Sequence, residues 1–418
     1  MRYDWLIRGG RVIDPGNHLD AIVDVALQDG KILAVAEALD PGSANQVFDA
    51  SGMLVTPGLI DLHVHGYDLV TPLGLDIDHY CLGRGVTTAV DAGSAGCDTF
   101  AGFRAFAAER FRTRLLAFLH ISRTGLSFAG LGGDSEVPGE LEALRLANAR
   151  DCASCVDANR DLLVGIKIRL SSSIADAGRN ESEAFRRAQE AAATVALPLM
   201  VHHNFSTVPL EDCPGKLRAG DIWTHCFHGF PRSIVDPETR RIHAVVHEAG
   251  KRGVRFDIGH GQGSFNWTVA EIAAAEGFWP WTISSDLHRG TAEGPCYDLP
   301  MVMSRLLHVG MPLEAVIRAT TSDAAACIGW EDRIGNLSAG READVTVLAL
   351  EDFDQPLEDC QSQMRRVKQL LRPRAVWRAG IPAKITHLRH FPNPESIAHQ
   401  RQQWPRLIVR DAALSEGT

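Results

Sequence analysis

No stretch of this chain is apolar over the length that crosses a membrane. Its first residues, Met1-Arg2-Tyr3-Asp4-Trp5, lack the charged segment and following apolar core of a secretory leader. Neither a membrane span nor a cleaved leader is therefore expected. A broad basic surface is missing too. The formal net charge is −10, which argues against a nucleic acid or an anionic lipid surface as partner. One basic run, 365–378, reads as a solvated face. There is no disulfide framework: the nine cysteines are odd in number and scattered. A reducing cytoplasm is the default setting. Cys152 and Cys155 form a C-x-x-C, but no second pair follows at zinc-ribbon spacing, which leaves buried or helical thiols. Several catalytic signatures are also lacking. Ala92-Gly93-Ser94-Ala95-Gly96 misses the first glycine of a nucleophile elbow. Gly259-His260-Gly261-Gln262-Gly263 is not a dinucleotide fingerprint, and no P-loop occurs.

What is present is ordinary in bulk and specific in pattern. The chain has 418 residues, 45% hydrophobic and 22% charged. That is too long for one simple core and suits a large barrel with a smaller module. The first 57 residues look like short strands with tight turns at Asp29-Gly30 and Ser51-Gly52. A matching β-rich set recurs at 334–337, 343–348 and 375–380. The two sets together predict one small β-sandwich built from both chain ends. Between them, apolar strand candidates recur at 58–65, 87–91, 115–121, 163–169, 197–204, 221–225, 255–259 and 281–286. Helices are expected at 99–111, 181–195, 238–251 and 268–276. Continuous apolar runs of this kind are buried parallel strands. The fold class predicted is α/β, a (β/α)8 TIM barrel spanning 58–333, with a sandwich of 1–57 and 334–384. The stretch 385–418 is polar and contains proline. It is expected as an arm on the body or on a partner subunit, a choice the sequence leaves open, and with it a homo-oligomer.

Chemistry in such a barrel sits at the C-terminal strand ends. The first strand ends in His63-Val64-His65, whose imidazoles leave on the same side because strand residues i and i+2 do. Two neutral imidazoles so placed are half a site for Zn²⁺ or a similar ion; the alternative is two histidines that cap a strand. Lys167 lies in the fourth strand, His202-His203 ends the fifth, His225 to His228 end the sixth, His260 the seventh, and Asp286 to His288 the eighth. Ionisable groups in that number at apolar strand ends are costly to explain as packing. Lys167 either pairs with a carboxylate such as Asp286, or reacts with CO₂ to give a carbamate that bridges two metals.

This combination resembles the amidohydrolase superfamily, in its binuclear branch with a carboxylated lysine. The likeness extends over about residues 1–382, including Ala339-Gly340-Arg341-Glu342-Ala343-Asp344-Val345. It implies that His63, His65 and Asp286 hold one Zn²⁺ and that His202 and His225 hold a second. A carbamate on Lys167, with a hydroxide, would bridge them. His202 over His203 and His225 over His228 follow from the family pattern; strand parity leaves both pairs open. Two such ions activate water and polarise a carbonyl, and Asp286 would accept the proton and pass it to the leaving group.

The resemblance also narrows the substrate. Dihydroorotases carry an arginine after the H-x-H, and here Gly66-Tyr67-Asp68 follows. D-aminoacylases of the family use a cysteine bridge where this chain has the lysine. The strings His225-Cys226-Phe227-His228-Gly229 and Gly259-His260-Gly261 are similar to those of a deacetylase group related to dihydroorotases. That implies hydrolysis of O-acetyl α-hydroxy acids, such as acetyl-(R)-mandelate, or of N-acetyl amino acids, small molecules with a carboxylate. Arg169 shares a strand side with Lys167 and would bind that carboxylate or stabilise an oxyanion, unless it pairs with a neighbouring acid. His228 and His260 are candidates to bond substrate, with Tyr67 and Asn204 behind them. Two rivals remain: a cyclic amidase of dihydroorotase or hydantoinase type, and a catalytically dead relative acting as scaffold.

Overall fold

A computed structural model describes residues 2–128, 138–388, 391–395 and 406–410. Seven strands in the middle of the chain pair in parallel, in sequence order. They are β1 (Leu59–Val64), β2 (Val86–Gly96), β3 (Arg114–His120), β4 (Leu163–Leu170), β5 (Leu199–His203), β6 (Ile222–Thr224) and β7 (Arg255–Phe256). Each matches a strand expected from the sequence, with shifted ends. The expected eighth strand, 281–286, is not a continuous strand. Single parallel bridges join Thr282 to Asp257 and Leu287 to Val64. His260 and Gly261 donate to Ser284 O and Ser285 O, and His65 N donates to Leu287 O. The sheet therefore curls until both its edges reach the segment 282–287. Asp286 breaks the ladder there, because it takes a left-handed φ of +48°.

Burial on both faces explains the continuous apolar strands. In β3, Leu115, Ala117 and Leu119 pack outward in the large core shared with the helices, while Leu116 and Phe118 join a separate inner cluster. In β5, Leu199 and Val201 face outward and Met200 inward. This period of two follows from the pleat.

Helices form at Glu181–Val195 and Trp267–Ala275, as expected. The expected helix 99–111 is only Phe100–Phe103 followed by a wider turn, Arg104–Ala108. The expected helix 238–251 is shortened to Ala244–Lys251. A small hairpin, Val235–Asp236 with Arg241–Ile242, takes the start of that segment.

The two chain ends build one eight-stranded sheet. Strand Leu54–Pro57 pairs antiparallel with Val345–Glu358, placing Val55 against Val347. Ile7, Val25, Val55, Val345, Val347 and Trp377 enclose a core of their own. The Asp29-Gly30 turn joins two strands with both residues at positive φ, as a tight hairpin requires. The segment 334–337 is not a strand; Leu337 N instead donates to Asp14 Oδ2 at 2.8 Å. The basic run lies on strand Met364–Arg378, where Arg366 and Lys368 meet Asp354, and Arg372 meets Glu351. No helix among the described residues is long and apolar enough to cross a membrane.

Candidate active site

The carboxyl ends of the parallel strands surround a cavity of about 370 Å³. His63, His65, Lys167, Arg169, His202, His225 and Asp286 all line it. His63 and His65 have ring centres 5.6 Å apart, and the ring centres of His202 and His225 are 4.3 Å apart. One donor atom each from His63, His225 and Asp286 lies within 4.8 Å of the other two.

Hydrogen bonds behind the rings decide which nitrogen faces the cavity. His63 Nδ1 lies 3.1 Å from Thr224 Oγ1, and that hydroxyl gives its single proton to Asp257 Oδ2 at 2.7 Å. Thr224 must therefore accept from His63 Nδ1–H, which leaves the Nε2 lone pair toward the cavity. His65 repeats the arrangement: its Nδ1 is 3.0 Å from Ser94 Oγ, whose hydroxyl bonds to Asp91. Its Nε2 is 3.1 Å from Asp286 Oδ1. His225 Nδ1 donates to Gly259 O at 2.6 Å, which again frees Nε2. Fixing the outer nitrogen in this way orients an imidazole for a metal.

Electrostatics agree with that orientation. Burial holds His63 and His202 well below the ordinary histidine range and lowers His225 to about 4. Neutral imidazole is the form that binds a metal. Burial also lowers the Lys167 ammonium to about 7, against the pull of Asp286 and Asp257. Its Nζ sits 3.4 Å from His63 Nε2. Near neutrality, part of this lysine is free amine. Gly93, at φ +91°, makes room for it: a Cβ there would lie 2.8 Å from Lys167 Cγ. Three non-glycine residues of the site, Phe205 (φ +56°), His225 (φ +68°) and Asp286 (φ +48°), hold left-handed backbones. Each costs of order 1–3 kcal/mol, a strain that clusters at functional positions.

The other sequence candidates separate. His203 leaves the cavity: it follows the outward parity of Val201, lies tilted beside Trp223 with ring centres 5.8 Å apart, and donates from Nε2 to Val208 O at 2.9 Å. Neither His228 nor His260 is among the cavity-lining residues. His228 Nδ1 accepts from Phe230 N, and His260 lies flat on Phe265 at 5.1 Å. Tyr67 is turned away, its hydroxyl donating to Thr99 O. Asn204 does line the cavity. Arg169 has an acid beside it. Glu140 Oε1 lies 3.0 Å from its Nε, although the two lack the alignment of a good hydrogen bond. Sequence reasoning missed Glu140, the Thr224–Asp257 relay, the aromatic wall of Phe128, Phe205 and Phe230, and Arg406. None carries a local motif; Phe128, Phe205, Phe230 and Arg406 reach the cavity from irregular segments, and Glu140 and the relay stand against the lining residues Arg169 and His63.

A parallel sheet with histidines, a lysine and an aspartate gathered at its strand ends is the layout of an α/β enzyme. Comparison with known proteins gives the family. The model of the amidohydrolase family matches residues 230–381. A deacetylase of Agrobacterium fabrum is 36% identical over 346 residues, 83% of either chain. A deacetylase of Brucella anthropi is 35% identical over 384 residues, 91% of this chain and 92% of its own. Among solved structures, an adenine deaminase superposes with a TM-score of 0.83 at 30% identity, and a dihydroorotase with 0.80 at 31%. Each covers 91% of this chain over 99% of its own. The chain belongs to the amidohydrolase family and is a hydrolase. That family generally uses divalent metals, and the cluster of His63, His225 and Asp286 suits one in donor type and spacing.

Proposed function

We propose that this chain is a metal-dependent deacetylase that hydrolyses an acetyl ester or amide of a small carboxylic acid. The observation that carries the reading is the convergence of His63, His65, Lys167, His202, His225 and Asp286 on one cavity wall, in a chain whose full-length relatives include proteins named deacetylase. His63, His65 and Asp286 would hold one Zn²⁺, and His202 and His225 a second. Lys167, as a carbamate, would lie between them. The lowered Lys167 pKa supports this, because only the free amine attacks CO₂. When bound, the divalent ions would supply an activated water and polarise the acyl carbonyl.

The protein's own groups do the rest. Asp286 lies beside both imidazoles of the H-x-H. One of its carboxylate oxygens takes the proton of the attacking water and returns it to the departing amine or alcohol. Thr224 and Ser94 hold the His63 and His65 rings in the tautomer that faces the reaction. Arg169, on the cavity wall, aids the developing oxyanion. We read the curled sheet with segment 282–287 as a closed (β/α)8 barrel over 58–333. The sheet of residues 1–57 and 334–384 we read as a folded-over sandwich.

The test is a hydrolysis screen of protein grown with zinc and bicarbonate. Dihydroorotate and hydantoins are set against N-acetyl amino acids and O-acetyl hydroxy acids of both hands. Turnover of the acetylated set alone is expected. Ring opening alone would replace this reading with a cyclic amidase, which the likeness to a dihydroorotase structure makes the second candidate. Little bound metal and no turnover of either set would leave a scaffold. Lys167→Ala should lower metal content and cut the rate by about a hundred- to a thousandfold, the scale at which one preorganised charge-stabilising group is lost. Full metal content and rate would remove the carbamate.

A further inference from the structure

The described C-terminal residues 406–410 dock on the wall of the active-site cavity. Ile408 N and Val409 N both donate to Gly229 O, at 2.9 and 3.1 Å. Asn266 Nδ2 donates to Val409 O at 3.4 Å, and Leu407 and Val409 are buried. Gly229 lies between His228 and Phe230, four residues beyond His225. This docking carries Arg406 to the cavity that holds the histidines. Its guanidinium sits 5.6 Å from the ring centre of Phe205, and Phe205 packs against Phe230 at 4.4 Å.

Charge separates the two cavity arginines. Arg169 faces Glu140, whose carboxylate is buried. To bind a substrate carboxylate, Arg169 would have to share its charge with that acid or leave it buried and uncompensated, which is costly. Arg406 has no ion-pair partner among the described residues; it lies over the face of Phe205. A cation on an aromatic face keeps its guanidinium edge free for a two-point carboxylate contact.

We infer that Arg406 recognises the substrate carboxylate and that Phe205, Phe230 and Phe128 receive the side chain beside it. The inference rests on the deacetylase reading and deepens it. The substrates are acetylated acids with an apolar or aryl group on the carbon that bears the carboxylate. The acetyl carbonyl then points to the histidine–aspartate cluster, and the acid points to the C-terminal segment.

The experiment compares full-length, metal-loaded wild type, Arg406→Met and Arg406→Lys on N-acetylphenylalanine and on its uncharged amide. In Arg406→Met, KM for the acid should rise about tenfold or more, with kcat within about twofold, the signature of a lost uniform-binding contact. Arg406→Lys should recover part of the loss, and the amide should be unaffected by either change. Equal effects on acid and amide, or none on the acid, would overturn the inference. Thermal stabilisation by phenylacetate is measured beside it and needs no turnover. If no acetylated compound is hydrolysed, the deacetylase reading fails, and phenylacetate still decides the role of Arg406. Stabilisation present in wild type and lost in Arg406→Met supports it; equal stabilisation in both, or none in wild type, overturns it.

Discussion

Thr224 shows how much of this site depends on one hydroxyl. It accepts from His63 and donates to Asp257, and Asp257 also takes the hydroxyls of Thr282 and Ser284. Thr224→Val keeps the shape and removes the relay. His63 then loses its fixed tautomer, and metal affinity should fall by about 10–100-fold, measured by competition with a chelator, while the fold stays intact. His203 makes a separate prediction. Burial lowers it to about 4, below the ordinary 6.5. Folding thus favours its neutral form. Its contribution is fully present above about pH 6.5 and is lost as pH falls toward 4, by up to about 3 kcal/mol. His203→Gln keeps a donor for Val208 O without the titration. The drop in melting temperature between pH 7 and pH 5 should be smaller in that variant than in wild type.

At the scale of elements, the strands were legible and their breaks were not. Buried parallel strands announce themselves as apolar runs, so β1 and β3 to β5 were found to within a few residues. The choice of His202 over His203 needed the inward parity of Met200, which an apolar run cannot reveal when both faces are buried. The eighth strand failed as a ladder because Asp286 holds a left-handed backbone, a property of the finished site that composition does not carry. The shortened helices follow the same logic, since loops and a hairpin at the strand ends displace turns that propensity alone would grant. Arg406 lies 120 residues beyond Asp286 in a polar tail, where no pattern points to a cavity. Gly93 tests the strand that supports the lysine. Gly93→Ala places a Cβ against the Lys167 stem at a φ that L-residues avoid. It should destabilise by about 1–3 kcal/mol in urea unfolding and lower metal occupancy with it.

For the whole molecule, the site and the fold are thermodynamically linked. Its candidate ligands come from β1, β4, β5, the end of β6 and the segment that meets both sheet edges. An ion held there binds the folded chain far better than the unfolded one. Dialysis against a chelator should therefore lower the melting temperature, and returning zinc at about 100 times its dissociation constant should restore close to 3 kcal/mol. A melting temperature indifferent to metal would mean that no ion binds the folded chain in preference to the unfolded one. The sheet made from both chain ends imposes something else, an order in time. Thr56 lies across from Thr346, 290 residues later. At about 5–20 residues per second, the ribosome takes roughly 15–60 s to deliver the partner of an edge that is already outside the exit tunnel. During that interval the strand Leu54–Pro57 stands open to any other nascent chain. Yield in the cell should therefore respond to translation speed and to chaperone supply more than the stability of the finished enzyme would suggest.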